Sequence, residues 1–237
     1  MKIVFAGPSL YGAEFDPGDV VIRGPAEMGD LERAVEAGAT AMGLVDGHYQ
    51  QVGAVWHKEI LFALASGVAV YGAASMGALR VSECEPFGMI PVGDIARRYC
   101  SGELFDDADV ALTNGPAELG FPPLTEAMVD VEATAAHLAA AGLVIPDVAV
   151  SIVTSARAIF FADRTIEAIF DRLDPDLLTL YRTHRIGRKT ADALALVETL
   201  KALPAEAVRT PARDWAFAST PFWNERHTPR PSSVTPL

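Results

Sequence analysis

Residues 60–79 read ILFALASGVAVYGAASMGAL and decide the fold of the first half of the chain. The twenty residues carry no charge, and their number is that of a membrane-spanning helix. Three glycines divide the stretch, however, and the pattern changes from helical before Gly67 to the strand-forming run Val68-Ala69-Val70-Tyr71 after it. The stretch therefore predicts a helix, a buried strand and the start of a second helix, and no membrane span.

The residues before this stretch repeat the same alternation of strand and helix. Short apolar runs predict strands at residues 2–6, 20–22, 41–45 and 68–71, and helical patterns at residues 30–37 and 55–66 each end at a glycine. Such an alternation predicts an α/β fold with a mostly parallel sheet and covering helices, whose ligands bind at the carboxyl ends of the strands. Chemistry is therefore expected in the loops after Ala6, Val45 and Tyr71.

The second half of the chain differs in composition and in sequence periodicity. Periodic segments rich in alanine and leucine run from Thr125 to about Leu203 and predict helices, and the residues from Pro204 onward are rich in proline. We therefore divide the chain into an α/β core at residues 1–124, a helical region at 125–203 that packs on the core or binds a partner, and an irregular tail at 204–237. Four aromatic residues are candidates to pin that tail: Trp215, Phe217, Phe222 and Trp223.

Charge and composition exclude several classes of protein. The 237 residues include 19 basic and 31 acidic side chains, and a net charge of -12 has the wrong sign for binding nucleic acid or an anionic membrane surface. Cys84 and Cys100 form no C-x-x-C motif, so we expect packed thiols in a reducing, cytoplasmic compartment, with a persulfide as the less favoured alternative. The five histidines lack metal-binding spacing, and neither a metal nor another cofactor is expected.

Ser75 is the first candidate for chemistry. It lies between a predicted buried strand and a helix that starts with small residues, which is the setting of a nucleophile elbow. The strict G-x-S-x-G motif is not met, because Ala73 stands in the place of its first glycine. The segment leaves a second interpretation equally open, in which Ser75 caps the helix with its side-chain oxygen.

A serine nucleophile needs a base, and the candidates are His57, Lys58, His137 and His184. Lys58 is one of only four lysines and lies in the predicted helix that precedes the serine-bearing strand. Burial of its amine lowers the pKa and lets the neutral form accept a proton. Taken by itself, however, an isolated lysine at a helix start is more often a solvated surface charge.

Three further segments lie at the predicted sheet edge or concentrate charge. Asp46 follows the third strand and is interpreted either as a turn residue or as a group that orients Lys58 or binds substrate. The turn Gly7-Pro8-Ser9 offers backbone N–H groups to an anion. Residues 181–189 carry four positive charges between two helices and form either a solvated turn or a docking patch for an acidic partner.

Two blocks of the chain resemble the TfuA-like family. They are residues 46–61, DGHYQQVGAVWHKEIL, and residues 72–80, GAASMGALR. The match continues through Phe87-Gly88-Met89 and Val92-Gly93, so the resemblance covers about residues 2–116. No motif of the family is found after Thr125.

The resemblance implies a partner of YcaO proteins in peptide backbone thioamidation, in which sulfur replaces an amide oxygen. It also implies a Ser-Lys pair, here Ser75 and Lys58, that hydrolyses a thiocarboxylated sulfur-carrier protein of the ThiS type. The sulfide released is then used on a precursor peptide or protein held by YcaO. ATP belongs to the YcaO partner, in agreement with the absence of a Walker A motif from this chain.

Other residues at the predicted sheet edge are candidates to bind the substrate. Backbone donors near Met76, at the start of the helix, would hold charge on the oxygen or sulfur of the thiocarboxylate. The complete set of these candidates is Asp46, Gly7, Ser9, Met76 and His57.

Two other functions remain open on the sequence. One is a small-molecule serine hydrolase that pairs Ser75 with His137 or His184. The other is a non-catalytic adaptor, in which the acidic first half and the basic residues 181–189 hold a carrier and YcaO together. The sequence leaves the oligomeric state open.

Overall fold

The protein is built on a sheet of five parallel strands. A computed structural model describes residues 1–48, 53–204, 214–221 and 223–224 of the chain. The strands lie in the order β2-β1-β3-β4-β5. Their bounds are β1 (Lys2–Phe5), β2 (Val20–Arg23), β3 (Ala41–Leu44), β4 (Ala69–Gly72) and β5 (Ile90–Pro91). The predicted parallel sheet is confirmed, whereas the two-residue β5 is too short to give a sequence pattern.

Both faces of the three central strands, β1, β3 and β4, are buried. On β1, Ile3 and Phe5 belong to one hydrophobic core and Val4 belongs to the other. A strand covered on both faces is mostly apolar, which is why β3, β4 and the part of β1 after Lys2 appear in the sequence as continuous apolar runs.

Helices that alternate with the strands cover the first face. They are α1 (Asp30–Glu36), α2 (His57–Ala65), α3 (Met76–Cys84) and α4 (Gly93–Cys100). Residues 60–79 form the larger part of α2, then β4, then the start of α3, as predicted. Within the described part of the chain, no helix has both the length and the apolar character needed to cross a membrane.

The helical region begins with four helices that have a core of their own. They are α5 (Met128–Ala140), α6 (Pro146–Arg157), α7 (Ile166–Phe170) and α8 (Pro175–Thr183). Tyr181 of α8 is fully buried in this core, with its ring centroid 5.1 Å from that of Phe170. The predicted helical second half is thus confirmed.

A fifth helix of the region, α9 (Arg188–Lys201), leaves this core and covers the second face of the sheet. Gly43 of β3 permits the close contact, since a Cβ atom there would lie 2.2 Å from Cδ2 of Leu196. The buried carboxylate of Asp192 also accepts hydrogen bonds from the N–H groups of Asp94 (3.0 Å) and Ile95 (2.8 Å), at the start of α4. Residues from both halves of the chain therefore share one core.

The described part of the tail lies against α2 and the loop after α3. Trp215 donates a hydrogen bond from Nε1 to the carbonyl oxygen of Phe87 at 3.2 Å. The ring centroids of Phe217 and Trp223 lie 5.8 and 5.4 Å from that of Phe62 in α2. Phe222, the remaining aromatic candidate, lies outside the described residues.

Candidate active site

The topology identifies the edge of the sheet at which a ligand is expected. From β1 the chain continues to β2 on one side, and from β3 it continues to β4 on the other, so the strand order reverses between β1 and β3. In open parallel sheets this switch point leaves a crevice beyond the carboxyl ends of the strands. The loops after β1, β3 and β4 meet there, and they contain Ser9, Asp46 and Ser75 respectively.

Ser75 lies at a strained turn between β4 and α3. Its N–H group donates to the carbonyl oxygen of Ala73 at 2.8 Å, which closes a three-residue turn around Ala74. Ala74 has a φ of 62°, a left-handed conformation that is uncommon for a residue other than glycine. Strained backbone of this kind is concentrated at functional sites, and a strained strand-to-helix turn is what exposes the serine in a nucleophile elbow.

The helix-cap interpretation of Ser75 does not describe this turn. Ser75 occupies the N-cap position of α3, yet its side chain makes no capping hydrogen bond. The second and third N–H groups of the helix have other acceptors, since Gly77 donates to Val45 at 3.0 Å and Ala78 donates to the backbone oxygen of Ser75 at 2.9 Å. The hydroxyl of Ser75 therefore caps none of the helix N–H groups.

The start of α3 lies unusually close to β3. A Cβ atom on Gly77 would lie 1.7 Å from the carbonyl oxygen of Leu44, so only glycine is accommodated there. Among the described residues, the N–H group of Met76 has no hydrogen-bond acceptor within the protein. It is the orphan donor of this helix terminus, where the positive end of the helix dipole favours negative charge.

Asp46 is held by the turn that follows β1. One carboxylate oxygen accepts hydrogen bonds from the N–H groups of Gly7 (2.8 Å) and Ser9 (2.9 Å), and the other accepts from the Ser9 hydroxyl (2.7 Å). The turn Gly7-Pro8-Ser9 thus does bind an anion, and that anion is the carboxylate of Asp46. Asp46 is only 1% exposed, so these bonds replace the water that it loses.

Ser75 and Asp46 line one small cavity of about 130 Å³. Drug-sized ligands occupy roughly 300–1,000 Å³, so this space suits the end of an extended chain better than a nucleotide. The remaining lining residues come from the loops after β1 and β3, the segment before α5, the segment after α6, and α9: Pro8, Gly47, His48, Ala111, Leu112, Thr113, Asn114, Phe161, Ala162 and Lys189. A larger groove of about 890 Å³ runs along α6 and α7, but no lysine or histidine lines it.

The cavity contains a lysine that the sequence did not single out as a base. Lys189, at the start of α9, is 2% exposed and lies among the lining residues with Ser75. Its Nζ donates to the carbonyl oxygen of Val110 at 2.8 Å. Burial lowers the pKa of Lys189 below its ordinary value, and this effect exceeds the opposing influence of Asp46, Asp130 and Glu126.

Lys58 does not line this cavity. Its half-buried amine donates to the hydroxyl of Thr220 at 3.3 Å and lies 5.4 and 5.8 Å from the ring centroids of Phe217 and Trp223. These contacts are cation–π interactions with the tail. The catalytic role that the resemblance gives to Lys58 stays a prediction, and the structure gives its amine a second role in holding the tail.

The histidines that the sequence offers as bases, His57, His137 and His184, are also absent from the lining of the cavity. The Nε2 atom of His57 lies 2.7 Å from a carboxylate oxygen of Glu83 in an exposed pair. His137 and His184 lie together in the helical region, with ring centroids 5.9 Å apart. His48, which was not considered as a base, does line the cavity.

Two of the four positive charges at residues 181–189 are paired with carboxylates of the chain. Arg182 forms an ion pair with Glu167, and Arg185 contacts the buried carboxylate of Glu126 at 3.0 Å through two nitrogens. Lys189 is turned into the cavity. The segment therefore offers an acidic partner fewer free charges than its composition indicates.

The two thiols are expected to be unreactive. Burial, together with the neighbouring carboxylates of Glu83 and Glu85, raises the pKa of Cys84 and Cys100 from 9.0 to about 11. The reactive thiolate is then about 100-fold scarcer at neutral pH than for an unperturbed thiol. We expect a thiol reagent such as DTNB to react at pH 7.5 about 100-fold more slowly with the folded protein than with the urea-unfolded protein. Comparable rates in the two states would contradict this expectation and reopen the persulfide alternative.

The family comparison covers the segment that builds most of the cavity. The model of a family described as TfuA-like protein matches residues 46–165, which include Asp46, Ser75 and the lining residues 111–114, 161 and 162. Among curated proteins, no match is found. The family match extends over just more than half of the chain, beyond the segment on which the resemblance was recognised. The chain therefore belongs to the TfuA-like family, and its role is associated with YcaO proteins and thioamidation.

Proposed function

We propose that this chain is a hydrolase that uses Ser75 to release sulfide from a thiocarboxylated, ThiS-like sulfur-carrier protein for thioamide formation by YcaO. One observation supports it above all others. An uncapped serine hydroxyl sits on a strained turn at the switch point of a parallel sheet, in a cavity that also contains a buried amine. This is the arrangement expected for an activated acyl-transfer nucleophile.

The reaction balances without an oxidant or a reductant. The Ser75 oxygen forms a bond to the thiocarboxylate carbon while a neutral lysine amine accepts the hydroxyl proton. The carbon–sulfur bond then breaks, and the proton passes to sulfur, so that hydrosulfide leaves and an acyl ester remains on Ser75. Water next hydrolyses the ester to a carboxylate. The net change is thiocarboxylate plus water to carboxylate, hydrosulfide and one proton.

An anionic thiocarboxylate is a poor electrophile, so the site must stabilise additional negative charge. The orphan N–H group of Met76 and the N-terminus of α3 lie beside Ser75 and can do so. Removal of one such donor costs about 2.7–4 kcal/mol of activation free energy in enzymes where it has been measured. The narrow cavity suits the extended end of a carrier protein, which is the substrate class proposed here.

The structure weakens the two alternative functions without testing them. A small-molecule hydrolase that uses His137 or His184 has its histidines in the helical region, outside the lining of the Ser75 cavity. An adaptor that uses residues 181–189 has much of its positive charge paired internally. The resemblance assigns the role of proton acceptor to Lys58, whereas the lysine that lines the Ser75 cavity is Lys189.

The proposed function is tested with purified chain and a ThiS-like carrier bearing a C-terminal thiocarboxylate. We expect intact-mass spectrometry to show loss of 16 Da from the carrier, the mass difference between sulfur and oxygen, with an equal amount of sulfide released. A carrier incubated alone gives the background rate. Unchanged carrier that forms a stable complex with the chain would replace the hydrolase by the adaptor.

A further inference from the structure

Residues 111–114, which precede α5, form one wall of the Ser75 cavity. They lie alongside residues 122–125, and Asn114 forms an antiparallel bridge with Pro123. Three hydrogen bonds of 2.8 Å join the two segments: Gly115 N–H to the Pro122 carbonyl oxygen, Leu124 N–H to the Thr113 carbonyl oxygen, and Thr113 N–H to Oγ1 of Thr125. Residues 112–115 and 122–125 are therefore the first and second strands of a short ribbon beside Ser75.

The planar peptide groups fix the direction of the other polar groups in the first strand. In a trans peptide group the N–H and the C=O point in opposite directions. Both polar groups of Thr113 face the second strand, so the C=O of Leu112 and the N–H of Asn114 face away from it. The N–H of Gly115 also faces the second strand, so the C=O of Asn114 faces away. Among the described residues, none of these three outward groups has a hydrogen-bond partner.

This unpaired edge belongs to the cavity. Leu112 and Asn114 line the cavity, whereas residues 122–125, on the other edge of the first strand, do not. Unpaired N–H and C=O groups along an edge are a template for pairing with another strand. The ribbon therefore presents a strand edge to the space that contains Ser75.

The opposite edge of the ribbon is unsuited to pairing. Pro123 lies directly opposite Asn114, so its backbone faces away from the ribbon on the far side. Proline has no N–H group, and prolines at such positions protect an edge against strand addition. The sequence thus blocks one edge of the ribbon and leaves the other open at the candidate site.

The open edge is held in place before any ligand arrives. Oγ1 of Thr113 lies 3.1 Å from Oγ1 of Thr125, and the side-chain amide of Asn114 donates to the carbonyl oxygen of Gly115 at 2.8 Å. A preformed edge reduces the entropy that binding would otherwise cost. The cavity of about 130 Å³ leaves room beside this edge for an extended backbone with small side chains.

We propose that the ribbon binds the C-terminal end of the carrier protein as an added β-strand, through backbone hydrogen bonds to Leu112 and Asn114. The proposal rests on the proposed function, since it takes the carrier as the ligand of the Ser75 cavity. In strand addition, main-chain hydrogen bonds supply the affinity. Every second residue of the added strand directs its N–H and C=O to the ribbon, and the residues between direct theirs away.

The alternation is tested with the full chain and a fluorescein-labelled peptide. The peptide carries about the last eight residues of a ThiS-like carrier and a free C-terminal carboxylate. Single N-methyl groups are placed in turn on each of its last four amides, because an N-methyl amide cannot donate. We expect fluorescence polarisation to show binding weakened about tenfold or more at alternate amides and within threefold at those between. A peptide held by its side chains shows no such period of two.

A substitution in the ribbon links this binding to the open edge. Asn114→Pro removes the N–H group that faces away from the second strand, and we expect it to weaken binding of the unmethylated peptide about tenfold. Pro123→Ala is the matched control, because it changes the directly opposite residue on the far edge. We expect it to bind the peptide within threefold of wild type.

The possible results separate the strand site from the proposed function. Similar losses at adjacent amides, a loss below threefold in folded Asn114→Pro, a tenfold loss in folded Pro123→Ala, or no binding by wild type overturns strand addition. If either variant does not fold, the N-methyl series on the wild type decides. Hydrolysis of a thiocarboxylated carrier without the alternation keeps the proposed function and overturns strand addition. Alternation without hydrolysis supports strand addition and rejects the hydrolase.

Discussion

Replacement of Ser75 by alanine is expected to slow hydrolysis of the carrier thiocarboxylate by at least about 1,000-fold. The variant loses the atom that attacks carbon, so no acyl ester can form. The turn itself should survive, because the Ser75 side chain makes no capping bond and the N–H groups of Gly77 and Ala78 have backbone acceptors. The rate is measured by the mass change of the carrier and by sulfide release, with the melting temperature confirming that the variant is folded.

Ser82→Ala is the matched control for this prediction. Ser82 lies on the same helix, and its hydroxyl donates to the carbonyl oxygen of Leu79 at 2.7 Å. Loss of that bond is expected to leave hydrolysis within about twofold of wild type, since the hydroxyl faces its own helix and does not line the cavity. A folded Ser75→Ala protein that keeps more than a tenth of wild-type activity would remove Ser75 from the proposed mechanism.

The sheet could be predicted because the sequence patterns that specify each strand lie within the strand and its flanking residues. Continuous apolar runs bounded by glycine mark β1, β3 and β4, and the alternation with α1 and α2 fixes a parallel arrangement. The pairing of α9 with the second face could not be predicted in the same way. It depends on Gly43 and Leu196, which are far apart in sequence and become complementary only when the chain is folded.

The candidate site also contains residues that can be found from their sequence neighbours and residues whose contacts are distant in sequence. Ser75 and Asp46 could be found from the sequence, since each follows directly on a strand end. Lys189 could not, because Arg185 and Arg188 place it in a basic segment that the sequence interprets either as a solvated turn or as a docking patch. Its side chain is buried by residues from the segment before α5 and from the β3 loop, and no local pattern records that. Lys58 shows the converse case, in which a residue within a recognised motif has its contacts in the distant tail.

Replacement of Asp46 by alanine is expected to destabilise the folded protein by about 3 kcal/mol or more. The carboxylate accepts three hydrogen bonds, and its removal leaves the N–H groups of Gly7 and Ser9 and the Ser9 hydroxyl without their acceptor in a buried turn. For a chain of 237 residues this corresponds to a fall in melting temperature of roughly 6–12 °C. Thermal and urea unfolding give the magnitude.

Two controls make the expected loss specific to the Asp46 carboxylate. Ser9→Ala removes one of the three donors and leaves the carboxylate bound by the other two. We therefore expect the free energy of unfolding to fall by only about 1 kcal/mol. Asp163→Ala, at an exposed position, is expected to change stability by no more than about 0.5 kcal/mol. If Asp46→Ala is destabilised by less than Ser9→Ala, the carboxylate is not the acceptor that holds the β1 turn, and Asp46 is then free to act on the substrate as the sequence allowed.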